Sequence, residues 1–370
     1  MKTLSRIDWR IIPIVLFLMT ISLFVISSMT AEPDEGFFSP LVKSQIRWFL
    51  LGWALFAVTA AFDYQKLKSY FWPLYLFMIL LLLGLFLVSP IQNVHRWYRL
   101  PMIGLTIQPS EIAKLIVAIA LAAFLENKGR SVTSLGTAVQ VGLLVGVPFL
   151  LILKQPDLGT ALILFPIALA MSYFADVHRF MIRLLTSGGI AVLAIVLCLF
   201  VNIIPHEKAR PFFTIFMKEY QYERLNPSSY HLKAATTAIG VGGLTGTGWK
   251  KGEFAGKKWL PAAHTDSVFA AYGEEFGFVG LALLLSLFFG LIYFSLQVAA
   301  VAKDPFGRYL AVGLATYLAM HVLLNIAMMC ALLPISGVPL IFVTYGGSSI
   351  LTTLAALGIL QSIYSRRFMF

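Results

Sequence analysis

Charge is scarce in this chain: 12% of its 370 residues are Asp, Glu, Lys or Arg, against 59% hydrophobic. Soluble domains carry roughly 25% charged residues, so a water-soluble globule is excluded. Cysteine is nearly absent. Cys198 and Cys330 both fall inside apolar runs, which argues against a disulfide framework or a thiolate metal site and leaves two small buried hydrophobes. Short-period repeats, low-complexity tracts and a soluble appended domain are also missing.

What is present is apolar sequence in blocks of about 20 residues, the length that crosses a bilayer. Ten blocks follow one another: Ile11–Met29, Ser44–Phe62, Phe71–Ser89, Glu111–Glu126, Leu135–Leu153, Leu158–Ala175, Phe180–Ile204, Val268–Ala300, Tyr309–Leu333 and Tyr345–Ile363. Backbone groups in lipid must be paired within the segment, so each block is read as a helix. The eighth is long enough to tilt or project. The first is read as a retained anchor, because its apolar run is too long for a signal peptide and no small-residue cleavage site follows. The expected fold is an all-α polytopic membrane protein, a single domain over residues 1–370. One long loop, 206–267, separates spans seven and eight.

Basic residues set the orientation. With the N-terminus in the cytoplasm, thirteen Lys and Arg flank the helices on that side, and the short loops opposite hold only Lys43, Arg47, Arg96, Arg99 and Lys154. That satisfies the positive-inside rule, which is counted over short loops, and puts both termini in the cytoplasm. Much of the formal charge of +11 has this origin. The long loop lies outside and is still basic, with nine Lys or Arg against five Asp or Glu. Such a surface is either a solvated charged face or one suited to anionic headgroups and phosphorylated substrates.

Five polar clusters fall on the outer side of this topology. In His95–Lys114, Pro109 is well placed to start a helix, and Glu111 and Lys114 then share a face at i, i+3. Glu111 either favours the N-terminal dipole while Lys114 snorkels, or the two mark a functional site, as intramembrane charges usually do. Arg96 and Arg99 bracket Trp97 and Tyr98, an interfacial belt or a sugar platform. In Lys154–Thr160, Asp157 is a cap for the next helix or a site residue on the same face. Lys233–Trp249 reads as a short helix running into a glycine-rich turn, out of register for a phosphate loop of the Gly-Lys-Ser/Thr kind. His264, Thr265 and Asp266 stand where the long loop enters the eighth span. On one ideal helix Glu274 would lie about 80° round from Asp266 and about 12 Å deeper, so both could face a cavity, with Glu275 opposite. Leu333–Ser349, rich in Pro and Gly, is a poor continuous helix; such backbone is tolerated at membrane depth only where it packs on protein or lines a cavity.

These residues resemble the SEDS family (shape, elongation, division and sporulation), most closely its RodA branch. The matching pieces are QPSEIAK at Gln108–Lys114, QPDLGT at Gln155–Thr160, AIGVGGLTGTGW at Ala238–Trp249, HTDSVFAAYGEEFG at His264–Gly277 and GVPLIFVTYGGSS at Gly337–Ser349. They occur in the family's order and run through most of the chain. Ser267 stands where many relatives carry an aromatic, and Ile341 where a proline is common; neither change removes an ionisable group.

The resemblance implies a peptidoglycan glycosyltransferase of the bacterial inner membrane that polymerises lipid II, an undecaprenyl pyrophosphate-linked disaccharide-peptide, at the outer face. It implies a class B penicillin-binding protein and other elongation-complex membrane proteins as partners, and no nucleic acid. Asp266 matches the family's essential carboxylate and is the expected general base. Lys114 corresponds to a functional position, stabilising pyrophosphate or orienting the acceptor, and Glu111 would hold it. Arg96, Arg99, His264, Thr265, Asp157 and Glu274 are the expected substrate contacts. A divalent cation, Mg or Mn, bridging the pyrophosphate fits the family's behaviour, with no ligand set legible. Two other classes stay open, a lipid II flippase or transporter and a non-enzymatic scaffold. The clustering of polar motifs on one side favours surface chemistry over transport, which calls for access from both sides.

Overall fold

The computed structural model describes residues 6–30, 36–90, 94–100, 105–201, 203–214, 219–226, 229–257 and 259–368. Its first helices are α1 (Ile11–Thr30), α2 (Pro40–Ala61), α3 (Gln65–Ser69) and α4 (Phe71–Gly84). A small hairpin, β1 (Tyr98–Leu100) and β2 (Leu105–Ile107), leads into α5 (Pro109–Lys128), α6 (Leu135–Lys154), α7 (Leu158–Phe174) and α8 (Arg179–Phe200). Four shorter helices follow: α9 (His206–Phe213), α10 (Glu219–Glu223), α11 (Tyr230–Gly242) and α12 (Glu253–Gly256). The chain closes with α13 (Val268–Val301), α14 (Pro305–Met329) and α15 (Gly347–Ser365).

Each of the ten apolar blocks falls on a helix. Among the described residues, seven helices are both long and apolar enough to cross a membrane. Helices α4 and α7 are apolar but shorter, and α5 reaches 20 residues while carrying Glu111, Lys114, Glu126 and Lys128. Boundaries follow local capping. Ser39 accepts from Val42 N–H ahead of Pro40, and Asp304 accepts from Gly307 N–H at 2.8 Å ahead of Pro305, so α2 and α14 each begin four residues before the expected apolar start.

Helices α14 and α15 form the centre of the bundle, with α2 against α15 and with α5, α7 and α13 around α14. Helix α8 lies at the edge: only 6% of its spanning window is buried, against 61% for α14 and 72% for α15.

Two departures from the expected fold bear on the site. The first is the hairpin, where Tyr98 pairs with Ile107 and Arg99 with Thr106. Successive strand residues face opposite ways. The Tyr98 hydroxyl donates to Leu81 O at 2.8 Å, and Arg99 is left exposed.

The second corrects the alignment of Asp266 with Glu274. Asp266 precedes α13, and α13 itself breaks at Gly277, whose φ of 64° lies in the left-handed region. The break frees backbone groups, and the glycine-rich turn 243–248 pairs them. Glu274 O accepts from Thr247 N–H and Glu275 O from Gly248 N–H, both at 3.0 Å; Phe278 and Val279 donate to Gly243 O and Leu244 O at 2.9 and 3.1 Å. So close an approach needs glycine, since a Cβ on Gly246 would stand 2.1 Å from Glu275 O. The turn is a splint for a broken helix.

Candidate active site

The non-helical stretch between α14 and α15 is the floor of the site. Buried backbone of this kind must find partners, and side chains from α14, α1 and α2 supply them. Asn325 Nδ2 donates to Val338 O at 2.8 Å, and His321 Nδ1 donates to Pro339 O at 3.1 Å. Ser22 of α1 donates to Val343 O at 2.9 Å, and Gln45 of α2 to Thr344 O at 3.2 Å. The turn before α13 docks on the same stretch. Tyr345 N–H donates to His264 O at 3.0 Å, and Thr344 Oγ1 to Thr265 O at 3.1 Å. Ala262 and Phe342, with φ of 51° and 62°, bend the two facing turns. Non-glycine residues hold such angles only where the surroundings over-determine them.

Asp266 is carried by this turn. Asn325 Nδ2 also donates to its carbonyl oxygen at 3.0 Å, fixing the main chain while the carboxylate stays partly accessible. A Cβ on Gly337 would lie 3.4 Å from Asp266 Oδ2 and 3.7 Å from Arg224 Nη1, which brings that guanidinium to the same spot. Burial pushes the Asp266 carboxyl above the usual carboxylate range, opposed by Arg224 and Arg96 and reinforced by Asp157. Burial likewise lowers the His264 imidazole, opposed by Asp266. The His264 ring stands edge-on to Tyr345, centroids 6.3 Å apart. The Thr265 hydroxyl turns back to Ala262 O at 3.3 Å.

Lys114 is completely buried and held on two sides. Its Nζ lies 2.7 Å from Glu111 Oε1 and 2.6 Å from His321 Nε2, with the Tyr317 ring centroid 5.3 Å away. Tyr317 in turn meets Thr353 Oγ1 at 2.9 Å. Asp157 caps α7 through Thr160 N–H at 3.4 Å, and its other oxygen accepts from Gln108 Nε2 at 2.7 Å and Ser110 Oγ at 2.8 Å. Arg96 donates to Gln155 O at 3.2 Å and to Pro156 O, so its charge is anchored beside Asp157.

Asp266, His264, Thr265, Asp157, Arg96, Lys114 and Glu111 thus gather at one end of the bundle, at the N-terminal ends of α5, α7 and α13. Two expected residues stand apart. Arg99 is exposed on the hairpin. Glu274 is fully buried, its oxygens taken by the N–H groups of Phe254 and Ala255 at 2.8 and 3.1 Å. Three residues that sequence reasoning did not single out belong to the assembly: His321, Asn325 and Arg224. His321 and Asn325 are polar at i, i+4 in the apolar second half of α14, a signal for one functional face. Arg224 was one of nine basic loop residues, with nothing to separate it from the rest. Among the described residues no group of three or more His, Cys, Asp or Glu converges, so the residues present do not form a cage for a resident metal.

Fold and site together define a polytopic membrane protein with a partly buried carboxylate, flanked by guanidinium groups, at one end of its helices. Comparison with known proteins gives the family. The model of the FtsW, RodA and SpoVE family, described as "Cell cycle protein", matches residues 8–367, and the chain belongs to that family. It is 33% identical to the peptidoglycan glycosyltransferase MrdB of Escherichia coli K12 over 95% of this chain and 93% of that one. It is also 33% identical to a probable peptidoglycan glycosyltransferase FtsW of Geobacter sulfurreducens over 91% and 88%. The crystal structure of the rod shape determining protein RodA of Thermus thermophilus matches with a TM-score of 0.72 and 26% identity over 98% of both chains. A chain of a peptidoglycan synthase complex that coordinates polymerization and crosslinking matches with a TM-score of 0.78 and 27% identity, over 98% of this chain and 99% of that one.

Proposed function

We propose that this protein is a peptidoglycan glycosyltransferase that polymerises lipid II during cell elongation, with Asp266 as its general base. The observation that carries the assignment of the base is the Asp266 carboxylate: partly accessible, its main chain clamped by Asn325, with Arg224 beside it and Arg96 close enough to bias it. Burial draws its pKa towards the operating pH, where a base is most effective.

The reaction joins two lipid-linked sugars. The 4-hydroxyl of the acceptor attacks the anomeric carbon of the donor, and its proton passes to Asp266. The new C1–O4 bond forms as the bond from C1 to the pyrophosphate oxygen breaks, its electron pair leaving with the undecaprenyl pyrophosphate. Attack from the face opposite the leaving group inverts α to β. Arg224 and Arg96 are the cations for the departing pyrophosphate, where preorganised positive charge lowers the barrier. Lys114 is enclosed, so it acts from beneath, orienting the floor of the site, and Glu111 holds it through their 2.7 Å contact. Asp157 positions Gln108 and Ser110. His264 and Thr265 border the acceptor, Glu274 braces the long loop, and Arg99 contacts headgroups. The chain is one domain, and its site faces the cell exterior with both termini in the cytoplasm, a reading supported by the positive-inside count. A class B penicillin-binding protein is the partner, supported by the match to a peptidoglycan synthase complex.

The test is polymerisation of purified lipid II in detergent with that partner present and its transpeptidase blocked. Wild type makes glycan, and a folded Asp266→Asn variant makes about 10²–10⁴-fold less. Comparable product from both removes Asp266 as the base. Product from neither, with the complex intact, turns the reading to a scaffold or a transporter.

A further inference from the structure

Two residues of α14 link the halves of the site. Asn325 joins the Asp266 carbonyl to Val338 O, at 3.0 and 2.8 Å. One turn away, His321 joins Lys114 Nζ to Pro339 O, at 2.6 and 3.1 Å. Val338 and Pro339 are adjacent, so the Asp266 turn and the Lys114–Glu111 pair hang from neighbouring carbonyls of one peptide segment. Both residues are fully buried.

The His321 geometry fixes its proton. A carbonyl oxygen only accepts, so Nδ1 carries the hydrogen that points to Pro339 O. Nε2 then faces the Lys114 ammonium with its lone pair, because two cations at that separation would repel. Lys114 is therefore held by two acceptors, Glu111 and His321, and stays a donor.

We propose that His321 and Asn325 are positioning residues for glycosyl transfer: they set Asp266 against Lys114 through the Val338–Pro339 segment, and His321 keeps Lys114 aimed. This rests on the activity proposed above. A small displacement of the base or of the cation lost with these contacts acts on turnover and leaves substrate affinity alone, because neither residue meets substrate.

The test compares His321→Asn, His321→Gln and Asn325→Leu in the lipid II assay, with thermal unfolding in detergent alongside. His321→Asn keeps a donor at the Nδ1 level for Pro339 but puts nothing at Nε2; His321→Gln places an acceptor at the Nε2 level for Lys114. The expected result is a loss of about tenfold or more in kcat for His321→Asn with KM held within about twofold, and recovery by His321→Gln to within about threefold of wild type. Equal losses in both His321 variants with a matching fall in thermal stability mean packing alone and overturn the proposal, as does wild-type kcat in either His321→Asn or Asn325→Leu; equal losses with thermal stability unchanged mean that both ends of the bridge, Lys114 and Pro339, are needed. Should His321→Asn fail to fold, the kcat and KM of His321→Gln and Asn325→Leu decide. A wild type that makes no glycan contradicts the activity itself; an active wild type with indifferent variants overturns only the positioning.

Discussion

Helices α8 and α14 are both long apolar spans, and α8 is the more apolar of the two, yet 6% of its window is buried against 61% for α14. In water the more apolar helix would go inside. Lipid tails remove that driving force, and polar side chains, which lipid cannot satisfy, decide the arrangement instead. Helix α14 carries His321 and Asn325, which need partners, and it sits at the centre where α5, the α13 turn and the 338–339 carbonyls supply them. Helix α8 carries no comparable buried polar group and stays at the rim. The polar content of a span, more than its hydropathy, marks the helices that build the site.

That contrast can be broken at several places. The largest effect on stability is expected from Lys114→Met, which leaves Glu111 buried without its cation; removing one partner of such a pair costs about 3–5 kcal/mol, read as a fall in thermal stability in detergent. Gly246→Val comes next. It forces a β-branched residue to a φ of 80° and pushes a Cβ onto Glu275 O, unpicking the splint under the α13 break. Strain plus unmade carbonyl bonds amount to about 2–4 kcal/mol, and faster proteolysis of the 243–256 loop would report it. Overpacking α14 and truncating a side chain on α8 separate the two helices. Ala315→Leu at the fully buried face of α14 should cost about 1–3 kcal/mol. Leu193→Ala on exposed α8 should stay within about 0.5 kcal/mol. Equal effects would mean that α8 packs as tightly as α14 and would dissolve the comparison.

The ten apolar blocks were legible because a lipid-crossing helix must be a continuous apolar run. What lay hidden was short-range or long-range. Strands of three residues carry no readable periodicity, so the hairpin that separates Arg99 from Arg96 was missed. Gly277 sits within a stretch read as one continuous span, and the groups that repair its break come from some thirty residues upstream in the chain. Asp266, Lys114, Glu111 and Asp157 were legible as charges at membrane depth. Their fixings were not: His321 reaches Lys114 across 207 positions of sequence, and Asn325 reaches Asp266 across 59. Arg224 became distinctive only when the fold set it beside Asp266.

The measurement that tests Asp266 most directly is the pH dependence of kcat/KM for lipid II polymerisation. Asp266 accepts a proton only when ionised, and burial raises its pKa above the usual carboxylate range. Activity should therefore be full at alkaline pH and fall as pH drops through that raised value. Asp266→Asn should lose about 10²–10⁴-fold on the alkaline plateau and show no such acidic limb in whatever rate remains. An unchanged limb in Asp266→Asn, or a rate close to wild type, would contradict the assignment of Asp266 as the base.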